Sequence, residues 1–489
     1  MSKYSVIWRR LAALGSVLFL CLGLPVLQAQ TNSRHSRPPA PRRPNILLIL
    51  ADNLGCGDLG CYGQTKIQTP NIDKLASEGM RFTGFYAGAP AGAPSRCALM
   101  SGLDTGHTPV RAKTSATLPS SCMTVALMLK QGGYATGFIG KWGLGAPGTS
   151  GSPQRQGFEE VVGYVDPAQA EDYYPYSLSR YGPRVTAHQV ILAGNAGGRQ
   201  GDYAPKLFTI AALNFLRIHK PDQFNRHQSF FLCLAYPIPH ANPMVARSGG
   251  NGTQVPGDGQ YSDRDWSPAQ KDRAAMITRL DGYVGQIMAQ LKRLQLDENT
   301  LVVFTSARGP ATDIGADIKL SQSAGPLPGA NTDLYEGGIR VPFLARWAGT
   351  IAPGQVNDQP AALWDFLPTA DDIARLKPPK GIDGLSLLPV LLSQARAVHH
   401  KFLYWESFAH GFQQAVRMGD WKALRLKPGQ PLELFNLKKD PAERHNVAKQ
   451  NPGVVKRIET YLKTARTEPG RWTVKPGEAV EGADKPGGT

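Results

Sequence analysis

Cysteine is scarce in this sequence: six among 489 residues, none spaced as a CxxC pair. That excludes a disulfide-stapled miniprotein and a zinc ribbon. Internal repeats are absent, which excludes a solenoid. Charged residues make up only 19% of the chain and acids are outnumbered, 38 against 54 Lys+Arg, for a formal net charge of +16. Such an excess suggests nucleic acid until its distribution is read. Seven of the positives (Lys3, Arg9, Arg10, Arg34, Arg37, Arg42, Arg43) lie in the first 43 residues, where no acid occurs, leaving +9 for the rest. The remainder is spread out, with no basic helix and no aromatic-interleaved stripe. No nucleic-acid partner is therefore expected, while a polyanionic ligand is permitted.

Apolar residues are plentiful at 42%, enough for a large core. Lys3, Arg9 and Arg10 precede an apolar stretch from Leu11 to Leu27, and Leu27-Gln28-Ala29 offers small-residue cleavage. That order is the pattern of a secretory signal over residues 1–29, so the protein is expected to be exported, periplasmic or secreted, with no transmembrane segment once the signal is removed. A retained membrane anchor is the alternative, since the stretch approaches the length of a span. Residues 30–43, rich in Pro and Arg, read as a linker. Cys21 leaves with the signal, and the remaining five cysteines, an odd number, are expected to be mostly buried small hydrophobes.

The run NILLILA from Asn45 to Ala51 does not alternate, the mark of a strand buried on both faces, and Asp52-Asn53 follows it. Thr69-Pro70 opens a helix capped by Thr and closed by Gly79. Short helices are expected from Arg96 to Gly102 and from Thr124 to Gln131. Ala135 to Gly140 reads as a strand ending at Lys141, and Phe230 to Tyr236 as a strand followed by His240. The long helix Ala269 to Leu294 leads to the strand Thr300 to Ser306 and then to Ala307-Arg308. This alternation predicts a doubly wound, mostly parallel α/β sheet with helices on both faces. Ligands of such sheets sit at the carboxyl ends of the strands, which predicts one crevice shared by Asp52, Lys141, His240 and Ala307-Arg308.

Past Ala395 the texture changes to short alternating segments, Phe402 to Trp405, Gln414 to Met418, Trp421 to Arg425 and Glu433 to Asn436, with a helix from Pro452 to Thr464. The chain thus divides into an α/β domain over 44–395, a small antiparallel C-terminal subdomain over 396–470, and a tail over 471–489 whose composition predicts disorder. Asp371-Asp372 reads as a helix start, His399-His400 as an exposed loop. GLGAPGTSG lacks the lysine pattern of a phosphate-binding loop.

Several segments now align into one pattern: PNILLILADNLGCGDLGCYG, TPNIDKLASEGMRFTGFYAGAP, APSRCALMSGLDTGH, GYATGFIGKWGLG, LYEGGIRVPFLARW, GIDGLSLLPVL and FNLKKDPAERHNVA. In these segments and their order, from about Arg43 to Ala448, the chain resembles the sulfatase family of the alkaline phosphatase superfamily. The resemblance implies an α/β fold, sulfate-ester hydrolysis, a formylglycine nucleophile made from cysteine, and a divalent cation, usually calcium. It also implies particular residues, and here the chain departs from the pattern. The family's Cys-x-Pro-Ser-Arg reads Gly92-Ala93-Pro94-Ser95-Arg96, so the nucleophile position is a glycine with no side chain to oxidise. Cys97 follows the Arg on the helix, and Ser95 is offset onto another face of the turn.

The implied metal ligands are two aspartates after the first strand and an Asp-Asn pair after a later one. Here they are Asp52-Asn53 and Ala307-Arg308. Alanine offers no oxygen and arginine adds a positive charge, so the ligand set for a hard cation is largely gone. At the sulfate clamp Lys141 and His240 are kept, but the histidine of Gly-Lys-Trp-His is Gly143 and the lysine before Tyr-Glu-Gly-Gly is Asn331. Of ten positions, four are kept (Asp52, Arg96, Lys141, His240) and six changed (Asn53, Gly92, Gly143, Ala307, Arg308, Asn331). The reading is a catalytically degenerate sulfatase with no bound cofactor expected, its cationic remnant serving to bind a sulfated or otherwise anionic glycan. The alternatives are an active sulfatase or phosphoesterase of unusual chemistry, and a structural or partner-binding scaffold. Arg308 is expected either to pair with Asp52 in place of the metal or to point to solvent. Arg96 at a first helical turn, Lys141 at a strand end and His240 in a loop each admit a purely structural role.

Overall fold

A computed structural model of the chain describes residues 43–112, 117–166, 170, 172–183, 185–240, 242, 252–312, 317–394 and 399–468. The expected signal, nearly all of the linker, the tail and the 395/396 boundary lie outside them.

Sixteen strands are described. They are β1 (Asn45–Ala51), β2 (Met80–Phe82), β3 (Phe85–Tyr86), β4 (Ala135–Lys141), β5 (Glu160–Tyr164), β6 (Ser177–Gly182), β7 (Val185–Ile191), β8 (Phe230–Ala235), β9 (Thr300–Ser306), β10 (Phe343–Arg346), β11 (Gln355–Asn357), β12 (Ala361–Ala362), β13 (Leu403–Ser407), β14 (Gln413–Met418), β15 (Trp421–Arg425) and β16 (Glu433–Asn436). Ten form one sheet in the order β11-β2-β10-β9-β1-β8-β4-β5-β6-β7. Its centre, β9 through β5, is parallel; β10, β6 and β7 join antiparallel.

The continuous apolar run of β1 has a direct reason. Ile46, Leu48 and Leu50 enter one core, and Leu47, Ile49 and Ala51 enter the other. Helices α2 (Gly92–Ser101), α3 (Val125–Gln131) and α7 (Phe366–Ile373) feed the first core; α1 (Pro70–Ser77), α4 (Ala204–Ile218) and α5 (Pro268–Arg293) feed the second. Each fully buried leucine contributes about 1.5–3 kcal/mol, so a polar residue within β1 would be lost to either face. A short helix, α6 (Glu336–Ile339), follows the later motif. Strands β13 to β16 make a separate antiparallel sheet in chain order, backed by α9 (Pro452–Leu462); α8 (Leu388–Leu391) lies between. This sheet seats on the α/β domain through Trp405, packed with Trp364 and with Tyr86 of the β3–β12 pair, and through Lys422, whose ammonium lies 3.0 Å from Glu336 and 2.9 Å from Glu443.

Four local expectations are corrected. Thr69 precedes α1, but its hydroxyl donates to Asp73 Oδ1 at 3.1 Å and accepts from the Gly60 N–H at 2.9 Å, so it ties down a preceding turn instead of capping the helix. Helix α2 begins at Gly92, four residues before Arg96, which places Arg96 in its second turn. Asp371-Asp372 closes α7 instead of opening it. His400 is no exposed loop residue, because its Nε2 lies 2.7 Å from the buried Asp365 carboxylate. All five described cysteines are free; Cys97 and Cys233 are buried, and burial pushes the Cys56 thiol up to about 12 and the Cys122 thiol to about 11, so neither is a ready nucleophile. Among the described residues no helix is long and apolar enough to cross a membrane.

Candidate active site

Because β1, β4, β8 and β9 run parallel, their carboxyl ends face one edge. Asp52 follows β1, Lys141 ends β4, and Arg308 comes two residues after β9. The structure brings Lys141, Arg308 and, from α2, Arg96 onto the Asp52 carboxylate. Lys141 Nζ donates to Asp52 Oδ2 at 2.8 Å, Arg96 Nη1 approaches the same oxygen at 3.5 Å, and Arg308 Nε stands 3.5 Å from Oδ1. Asp52 is 2% exposed. Burial by itself would raise its carboxyl, yet Lys141, His240, Arg96 and Arg308 together hold it well below the usual carboxylate range.

The cations fare differently. Burial pulls the Lys141 ammonium down to about 8, with Arg96 and Arg308 adding to the fall and Asp52 opposing it. Burial and Arg308 likewise push Arg96 below its ordinary value against the pull of Asp52, although a guanidinium stays charged throughout. Lys141 does not float at its strand end, and Arg96 is buried and turned onto Asp52. Among the described residues one carboxylate is shared by three cations, two of them on Oδ2 and one facing Oδ1. The cluster therefore carries an excess of positive charge away from bulk water.

Helix α2 is locked to β9 by Ser95. Its hydroxyl donates to the Ala307 carbonyl at 2.5 Å and accepts the Gly88 N–H at 3.0 Å, so the one hydroxyl in the nucleophile segment is spent on structure. Beyond it, the Ser306 hydroxyl accepts from the Leu54 N–H at 3.1 Å and donates to the Arg308 carbonyl at 2.8 Å, joining the turn after β1 to the turn after β9. Between them Asn53 sits at φ 69°, 1% exposed, and neither atom of its amide has a hydrogen-bond partner.

The glycines explain where space went. A Cβ at Gly92 would lie 3.2 Å from Arg96 Nη2, and one at Gly143, where φ is +71°, only 2.8 Å from the same nitrogen. The Arg96 guanidinium thus fills the space that side chains at both positions would enter. His240 lies close enough to pull on Asp52; its carbonyl accepts from the Tyr173 hydroxyl. Asn331 borders the same region. Its N–H donates to the Pro310 carbonyl at 2.8 Å, and the next residue's N–H, that of Thr332, donates to the Pro90 carbonyl at 3.1 Å.

Sequence reasoning did not single out Tyr173 or Ser306, which steer His240 and Arg308 through backbone carbonyls; a lone Tyr or a strand-terminal Ser carries no motif. It also missed a second cluster. His107 Nδ1 lies 3.3 Å from Asp104 and 3.0 Å from Asp383, a grouping with metal-ligand spacing. Hydrogen bonds to Asp104 and Asp383 push the imidazole up to about 10, so the protonated ring is that cluster's own cation. An open cavity of about 340 Å³ lined by Cys61, Asp73, Arg81 and Gln355 lies along the β2–β11 edge and includes none of the cluster around Asp52; the convergence of charge, not this hollow, marks the candidate site.

Residues 44–375 match the family described as Sulfatase, and residues 332–468 that described as N-sulphoglucosamine sulphohydrolase, C-terminal. N-acetylgalactosamine-6-sulfatase of Rattus norvegicus is 33% identical over 413 residues, covering 78% of this chain and 72% of the relative. Arylsulfatase A of Homo sapiens is 32% identical over 450 residues, covering 83% of each. Among solved structures, Ps i-CgsB in complex with k-i-k-neocarrahexaose superposes with a TM-score of 0.74 at 27% identity, covering 88% of this chain and 94% of that one.

Proposed function

Because the chain belongs to the sulfatase family, we propose that it is a member that has left hydrolysis behind and retains the fold to bind an anionic glycan outside the cytoplasm. The observation that carries this reading is Arg308 set 3.5 Å from Asp52 beside Lys141 at 2.8 Å. The family's calcium and formylglycine do not fit the residues present. A hard dication needs several oxygen ligands with compensating charge. Here it would meet one carboxylate already faced by Arg96, Lys141 and Arg308, an alanine at 307, and a glycine at 92 with no side chain to become an aldehyde. What remains is a buried excess of cations, which attracts oxyanions.

A glycan as the carrier of that anion rests on kinship: relatives bear the names of sulfatases, and Ps i-CgsB is held in complex with k-i-k-neocarrahexaose. Export rests on the basic start and apolar run before Ala29. The test is an array of sulfated, phosphorylated and uncharged glycans probed with the full mature protein, once in chelator and once in millimolar calcium. Retention on charged glycans only, equal in both buffers, is the expected result. Retention that requires calcium, or turnover of any arrayed ester, would return the chain to the hydrolases; retention independent of charge would make it a scaffold.

A further inference from the structure

The cluster around Asp52 leaves buried donors and acceptors without a hydrogen bond among the described residues. Arg96 Nε makes no hydrogen bond, Arg308 Nε and Asp52 Oδ1 face each other as an ion pair across 3.5 Å without one, and the neighbouring Asn53 has neither its amide nitrogen nor its amide oxygen hydrogen-bonded among the described residues. Buried polar atoms in folded proteins are nearly always paired, so five such atoms on two strand-end turns and one helix define the chemistry a ligand there would need. The guanidinium and amide N–H groups ask for oxygens. Asp52 Oδ1 and Asn53 Oδ1 ask for a hydrogen.

We propose that this site receives a tetrahedral oxyanion that still bears a proton, a phosphate monoester or hydrogen phosphate, in preference to a fully deprotonated sulfate. The proposal rests on the anion-binding reading above and narrows its ligand class. A protonated phosphoryl group turns its P–O–H toward the carboxylate and offers its remaining oxygens to Arg96, Arg308 and the Asn53 amide. A sulfate or sulfate ester has only acceptors, so it sets an oxygen against an oxygen at Asp52 and leaves that buried acceptor unpaired. A site that presents a buried polar group rejects an analogue that cannot pair with it far more strongly than it rejects a change of shape. The carboxylate, usually an obstacle to anion binding, becomes the selector.

The experiment is calorimetric titration of the full mature protein, in chelator at pH ~5.5, below the second ionisation of a phosphate monoester at about 6 so that both phosphate probes carry a proton, with inorganic phosphate, inorganic sulfate and glucose 6-phosphate in turn. Phosphate is expected to bind at least about tenfold more tightly than sulfate. Binding of glucose 6-phosphate as well assigns the site to an esterified phosphoryl group, whereas binding of inorganic phosphate alone assigns it to the free ion. Asp52→Asn exchanges acceptor for donor and is expected to reverse the order of the two ions. Because that change removes the only carboxylate that the described residues supply to a buried cationic cluster, Asn53→Gly serves as the second variant. Glycine tolerates the left-handed backbone at 53 and removes the amide, so it is expected to fold normally and to lose several-fold of the preference. Sulfate binding as tightly as phosphate would overturn this inference and leave the anion-binding reading standing. Failure of all three anions would show a closed ion cluster and end both.

Discussion

At the scale of single residues, the proposed loss of a nucleophile at Gly92 and of metal ligands at Ala307 and Arg308 are separate departures from the family's pattern, and under that proposal repairing one does not repair the other. Gly92→Cys is expected to fold, because the only close neighbour of the new Cβ is the far end of the Arg96 side chain at 3.2 Å. It is expected to give no turnover of an aryl sulfate, even after mass spectrometry confirms oxidation of the new cysteine, since no metal site stands behind it. Detectable turnover would show that the cation is dispensable. Asp52 supports a second prediction, about stability. Its carboxyl is depressed in the folded state, so its contribution is fully present above the unfolded value of about 3.9 and fades as pH falls through the lower folded value. Asp52→Asn is therefore expected to cost about 3 kcal/mol at pH 7 and progressively less below pH ~4, as read by urea unfolding across that range. The departures from the family's motifs at Gly92, Ala307 and Arg308 were legible as letters. That Arg96 occupies the vacated space was not, because nothing in a sequence states which rotamer a long side chain adopts.

At the scale of elements, the strand ends decide the site. Parallel pairing in register, Ile46 with Phe231 and with Leu301, brings the turn after β1, which carries Asp52, beside the turn after β9, where Arg308 stands one residue past the level of Asp52. The apolar runs of β1, β8 and β9 made the strands readable, and the residues just after them were readable in turn as site candidates. The start of α2 was less so. The segment GAPSR carries glycine and proline, which suggest a loop, yet proline is compatible with the first turn of a helix, where its missing N–H is not needed, and the helix begins at Gly92. The junction of the two sheets was not readable at all. Lys422 on β15 sits buried between Glu336 on α6 and Glu443, partners from distant parts of the chain. Burial would raise the Glu336 carboxyl, but Lys422, Arg340 and Arg417 hold it down to about 2. Lys422→Met keeps the volume and removes the charge, leaving two carboxylates facing each other in a buried space. A loss of about 3–5 kcal/mol in chemical unfolding is expected, with no change in phosphate affinity if the site around Asp52 is independent of the junction.

At the scale of the whole molecule, the basic excess divides into an N-terminal share and a dispersed remainder, and the two have different fates. If export proceeds as proposed, N-terminal sequencing of the protein recovered outside the cytoplasm is expected to begin at Gln30, with four of the seven early positives retained in the linker. A chain beginning at Met1 in a membrane fraction would mean an anchor. Composition, apolar runs and motif order by themselves determined the fold class, the family and the positions at which its motifs are departed from, because strand burial and motif letters are properties of local residue type. Only the tertiary structure decided that Lys141, Arg96 and Arg308 converge on a single buried carboxylate, and that the donors and acceptors left over there are of both kinds. Those facts depend on distances between residues as far apart in the chain as Asp52 and Arg308, and such distances exist only once the sheet has set its strand order.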